Sequence, residues 1–250
     1  MAIEKRVPSK LTGLAVGWIA ALTTLWSQSA IAQRRAAHDA TTAPSAPSSR
    51  AAIRTLNVVG HIQSTLRTAR YEHTIDVDER TGRYVFDCSG MTAWILARSA
   101  PSAHRAVMEH VHGFHPLARD YYRQIAAVAP GAEAHGWHHV ARVSDAQPGD
   151  VVAWLRPAIV RSNNTGHVAI IVSPPARIEG TEQWLVRIAD ASRYQHQDDS
   201  REGSGRTGFG FGTILVRADP ATGAPVAYGW FGAQSAWVLA TSMAIGRPTR

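Results

Sequence analysis

The chain has 250 residues, 45% of them hydrophobic, eight tryptophans and a formal net charge of +7. That composition excludes an intrinsically disordered chain and suits one domain with a substantial core. The positive charge lies on scattered arginines, both lysines (Lys5 and Lys10) falling in the first ten residues; without a basic helix or an aromatic-interleaved basic stripe, no nucleic-acid partner is expected.

Lys5, Arg6 and Lys10, the mostly apolar run Leu11–Trp26 and the small-x-small triplet Ala30-Ile31-Ala32 read as a secretory signal peptide over residues 1–32, cut before Gln33. The apolar run is shorter than the roughly 20 residues of a membrane span. The expectation is an exported chain, periplasmic or extracellular, with no stable membrane insertion after cleavage. Residues 33–49, rich in Ala, Ser, Thr and Pro, read as a flexible leader. Residues 50–250 then form a single domain.

Within that domain, Ile53, Leu56, Val59, Ile62 and Leu66 recur at helical spacing and predict a helix from Arg50 to about Arg70. A loop containing Gly82 follows. A second helix is expected to start at Cys88 or Ser89, capped by Asp87, and to end at Pro101. Residues 101–142 read as mainly helical. After Gln147-Pro148-Gly149-Asp150 the pattern turns to strands at 151–155, 166–172 and 183–189, then a hairpin of 212–217 and 225–230 around Asp219–Gly223. Helices first and an antiparallel sheet afterwards define an α+β layout.

Cys88 is the only cysteine. In an oxidising compartment a thiol without an internal partner is no disulfide staple, which leaves nucleophilic chemistry as the leading reason for it. A thiol nucleophile needs a base beside it and a polar group that orients the base. His167, opening the 166–172 strand, can face the end of the Cys88 helix. Asp190, ending the next strand, reaches the far nitrogen of its imidazole if the two strands are paired neighbours.

Asp87-Cys88-Ser89-Gly90-Met91, Gln147-Pro148-Gly149-Asp150-Val151-Val152, Gly166-His167-Val168-Ala169-Ile170 and Asp190-Ala191-Ser192 resemble, in that order, the blocks of the NlpC-type cysteine peptidases. These are papain-like enzymes that cut peptide bonds in bacterial cell walls. The resemblance covers about Val58 to Ser192. It implies a papain-like fold, Cys88 as nucleophile, His167 as general base, Asp190 as the orienting residue, Tyr71 as an oxyanion donor, and peptidoglycan or another peptide as substrate. Tyr84 lies closer to Cys88 in sequence but too near it to serve. The chain departs from the family in the stretch around Tyr71, which lacks the usual Gly-Gly, and in an insert near 99–141 placed to cover the cleft.

Other readings stand beside this one. A cysteine at a helix start is often a small buried hydrophobe. His167 can be a satisfied strand-end histidine and Asp190 a turn acid, with His196, Asp198 and Asp199 as nearby substitutes. A non-catalytic wall-binding or effector domain, or a thiol acyltransferase or thioesterase, would use the same framework. His110, His112, His115, His138 and His139 invite a metal-site reading, but their spacing fits no zinc signature and no metal or cofactor is expected. The glycines of Gly208-Phe209-Gly210-Phe211-Gly212 are not a phosphate loop and are expected to shape the approach to the hairpin.

Overall fold

The computed structural model describes residues 49–249 apart from 110 and 112. The expected signal peptide, all but one residue of the 33–49 leader, His110 and His112 lie outside the described residues. The fold is α+β, with helices on one face of a large antiparallel sheet. Among the described residues no helix is long and apolar enough to cross a membrane.

Helix α1, Arg50–Thr65, is capped by Ser49, whose Oγ accepts from the Ala52 N–H and donates to the Pro248 carbonyl. Its buried face is Ala51, Ala52, Thr55, Val59 and Ile62. Ile53, expected on that face, is 45% exposed, because the small residues at 51 and 52 allow closer packing than Ile53 would. The helix also ends five residues before its expected limit. Thr68–Arg70 (β1) pairs in parallel with Arg83–Phe86 (β3), which pairs antiparallel with Ile75–Asp78 (β2). The stretch expected as a loop is therefore a small sheet, anchored by Tyr84 and Phe86, both fully buried.

Cys88–Ser99 (α2) is the second helix, as expected. The insert is only partly helical: Pro101–Met108 (α3) and Ala118–Ala126 (α4) are followed by strands Glu133–Ala134 (β4) and Trp137–Val140 (β5). It belongs to the core. Trp137 and Tyr121 are fully buried, with the Trp137 indole N–H on the Ala103 carbonyl and the Tyr121 hydroxyl on the Ser89 carbonyl.

The remaining strands are Val151–Leu155 (β6), Gly166–Ile171 (β7), Ala176–Arg177 (β8), Gln183–Ser192 (β9), Gly208–Ala218 (β10), Pro225–Gly229 (β11), Leu239–Ala240 (β12) and Met243–Pro248 (β13). The main path runs β12-β11-β10-β9-β7-β6-β13-β5-β4, with β8 on β9. The C-terminal strand β13, for which the sequence offered no expectation, sits between β6 and β5. Alternation sends Val168 and Ile170 of β7 into the core beneath the helices, with Ala189 and Ala191 of β9. Ala169 and Ile171 join Trp154, Ile188, Val216 and Tyr228 in a second core on the other face.

The Gln147–Asp150 turn is locked to β13. Asp150 caps the turn through the Gln147 N–H and takes Arg247 Nε and Nη2 at 2.8 and 2.9 Å. Burial pushes the Asp150 carboxyl above its ordinary range, against the pull of Arg247. Replacing Arg247 with Ala leaves a buried acid without its counter-charge and should cost about 3 kcal/mol. Urea unfolding of R247A checks this, and an unchanged midpoint contradicts it.

Candidate active site

Cys88 is the first residue of α2. Its N-cap Asp87 accepts from the Gly90 N–H at 2.7 Å and the Ser89 hydroxyl at 2.9 Å through one oxygen, and holds His73 Nδ1 at 2.9 Å with the other. Cys88 is only 6% exposed and belongs to the helix-side core. The backbone N–H groups of Val168 and Ser89 favour its thiolate, but burial, with Asp87 behind it, outweighs them and pushes the thiol well above its ordinary pKa. At rest the sulfur is a neutral thiol.

His167 enters β7 directly after Gly166. There φ is +145° and any Cβ would collide with the Trp154 carbonyl, so only glycine lets β7 approach β6 this closely. The imidazole packs between Trp154 and Trp230, with ring centroids 5.0 and 5.1 Å away. Strands β7 and β9 are antiparallel neighbours, and His167 Nε2 meets Asp190 Oδ2 at 2.8 Å. The carboxylate claims the Nε2 hydrogen, which leaves the lone pair on Nδ1. That nitrogen makes no hydrogen bond to the protein among the described residues.

His167 and Asp190 share the strand face opposite Val168 and Ala189, whereas Cys88 lies on the helix side. The thiol thus reaches the start of β7 at the Val168 N–H, one residue from the imidazole, and no hydrogen bond joins sulfur to ring. The structure brings His167 and Asp190 together and sets Cys88 at the start of β7. Tyr71 is half-buried in the same region. Burial, then the neighbouring Cys88 and Asp87, keep its phenol protonated far above the ordinary range. Its ring lies edge-on to His73 at 5.5 Å and under the Arg193 guanidinium.

Asp190 has more partners than expected. His196, named from the sequence only as a substitute for it, instead joins it: His196 Nε2 lies 2.9 Å from Asp190 Oδ2, and Nδ1 lies 3.1 Å from the Trp230 carbonyl. Both ring nitrogens thus face acceptors, and Trp230 stacks on the ring at 4.2 Å. Arg201, absent from the sequence reading, places Nη2 3.0 Å from Asp190 Oδ1. It also makes a two-pronged pair with Asp199 at 2.7 and 2.8 Å. Asp198 stays outside, its carboxylate taking the Gln197 amide.

The glycine run makes room for this group. It is the start of β10 itself, a correction to its expected place before the hairpin. A Cβ on Gly210 would lie 2.5 Å from Arg201 Nε, and one on Gly212 would lie 2.5 Å from His196 Cβ. The two strand glycines open one face of β10 for these side chains.

Burial alone would raise Asp190, but His196, His167 and Arg201 together hold it far below the ordinary carboxylate range. For His167 burial is the largest influence and lowers the imidazole; Asp190 raises it, and His196 and Arg201 lower it further. His167, Asp190 and His196 also offer three ligand atoms within 4.8 Å of one another. They fit a metal poorly, since Arg201 sets a fixed positive charge against the carboxylate and hydrogen bonds occupy both its oxygens. Of the histidines considered for a metal, His138 and His139 lie on β5, and His115 lies in the loop before α4.

In ¹⁵N spectra at neutral pH, His167 should be protonated at Nε2 alone. A proton on its Nδ1 would overturn the tautomer assignment.

No protein-family model, curated protein or solved structure matches this chain.

Proposed function

We propose that this protein is an exported thiol hydrolase of the NlpC-type, papain-like kind, cleaving an amide bond in peptides, with peptidoglycan stem peptides as the substrate class. The observation that carries the proposal is the buried His167–Asp190 pair at 2.8 Å. It leaves Nδ1 of His167 as a free base at the start of β7, where the Cys88 thiol lies against the Val168 N–H.

In this reading the Cys88 Sγ–H proton passes to His167 Nδ1 as sulfur attacks the amide carbonyl carbon, forming the S–C bond and an oxyanion. The Cys88 backbone N–H, unused by the Asp87 cap, and the protonated Tyr71 hydroxyl receive that oxyanion. The imidazolium returns its proton to the leaving nitrogen as the C–N bond breaks, giving a thioester. Water then attacks the thioester with His167 again taking the proton, which frees the acid and the thiol. Asp190 holds the ring's tautomer and balances the transient imidazolium.

One observation favours a second reading, a non-catalytic wall-binding domain: the thiol is 6% exposed and its pKa is raised, as for a structural cysteine. Turnover separates the two. Purified wild-type protein should release new amino and carboxyl termini from muropeptides, and Cys88→Ala should lower the rate by about 10⁴-fold or more with the fold unchanged. Wall binding without any release by the wild type would sink the hydrolase.

The pH profile carries a second test. Because burial lowers His167, the acid limb of kcat/KM should fall below the ordinary imidazole value of 6.5. His196→Gln keeps an N–H for Asp190 but removes the influence of His196 that lowers His167. The His167 pKa then rises, and the acid limb moves to higher pH. A limb that stays in place would show that His196 does not act on the base.

A further inference from the structure

Resting on the hydrolase reading, we infer that the cavity between the β1–β2 connection and α4 is a subsite for a carboxylate on the substrate residue adjoining the scissile amide. The cavity, about 760 Å³, is lined by His73 and Ile75 on one side and by His115, Leu117, Arg119 and Arg123 on the other. It borders both halves of the candidate site. His73 is bonded to Asp87, immediately before Cys88, and a Cβ on Gly90 would lie 3.0 Å from Ile75 Cγ1. Across the cavity, the Arg119 N–H meets the hydroxyl of Thr165, two residues before His167, at 3.5 Å.

The titratable side chains facing this space are His73, His115, Arg119, Asp120 and Arg123. The one acid is Asp120, whose Oδ2 caps α4 through the Leu117 N–H at 2.9 Å and whose Oδ1 lies at a long 3.8 Å from Arg119 Nε. Arg123 makes no ion pair among the described residues. Arg119 and Arg123 are four residues apart on α4, a spacing at which like charges repel without an anion between them. A carboxylate accepts guanidinium N–H groups in pairs, and Ile75 and Leu117 suit the methylenes that carry it. Arg119, Arg123 and Leu117 come from the insert, which thus supplies the arginine side of the subsite.

The carboxylate can be a side-chain or a terminal one, and amidation separates the two. The probes are a synthetic acidic stem tetrapeptide and its two mono-amides, one at the side-chain carboxyl and one at the C-terminus. Calorimetric titration into the Cys88→Ala protein should show one mono-amide binding about tenfold more weakly than the free acid. Substituting Arg119→Gln and Arg123→Gln together should erase that difference. Both arginines are exposed, and Arg123→Ala alone is a second variant should the pair perturb folding. Equal affinity for all three peptides, or a preference that survives these substitutions, overturns the subsite. Assaying wild-type turnover on the same peptides keeps the two readings apart. Cleavage without preference sinks the subsite alone, preference in binding without cleavage sinks the hydrolase alone, and neither binding nor cleavage sinks both.

Discussion

A carboxylate with no exposure to water, Asp190, dictates how this end of the molecule is built. An ionised acid sealed from solvent is tolerable only with positive charge and hydrogen bonds around it. Here Oδ2 receives two imidazole N–H groups and Oδ1 a guanidinium. The same guanidinium also pairs with Asp199, so one buried cation serves two buried carboxylates. The loop 195–201 folds back to deliver His196 and Arg201, Asp199 holds that loop by its own backbone N–H groups, and the β10 glycines leave the space. Replacing any one of these leaves a buried charge uncompensated.

The neutrality of His167 bears on the chemistry. A thiolate–imidazolium pair at rest would need a thiol lowered and an imidazole raised. Both shifts here run the other way, and burial is the largest cause of each. Under the hydrolase proposal, the proton would leave the sulfur only as a substrate carbonyl arrives, and burial rather than a preformed ion pair would govern its reactivity.

Much of the framework was legible in the residues because it is local. The Asp87 cap and the apolar face behind Cys88 mark α2, and the alternation in Val151–Leu155 and Gly166–Ile171 marks two strands that do pair. The strand before Asp190 was legible too, so its meeting with His167 followed once the strands proved adjacent. What stayed hidden depends on long-range pairing. Thr68–Arg70 and Ile75–Asp78 are too short to announce themselves and exist because Arg83–Phe86 lies between them. β13 has no alternating pattern to read, with both faces of the sheet covered at Met243–Ile245. His196 and Arg201 looked like polar loop residues. Their one signal was the glycine at every second position of β10, which marks a strand face with room for neighbouring side chains.

The segment from Ser99 to Ala141 serves the core and the cavity wall at once. Tyr121 faces inward to hold the first turn of the cysteine helix through the Ser89 carbonyl, while Arg119 and Arg123, on the other side of the same helix, face the cavity. A helix that must bury Tyr121 and Ile125 on one side fixes, by its 100° per residue, where the residues between them point. The arginines therefore inherit their placement from the core. A change that reshaped the cavity by rotating α4 would withdraw the support under Cys88, whereas exchanging the exposed side chains leaves it in place. Substitution is thus open at positions 119 and 123 and closed at 121 and 125.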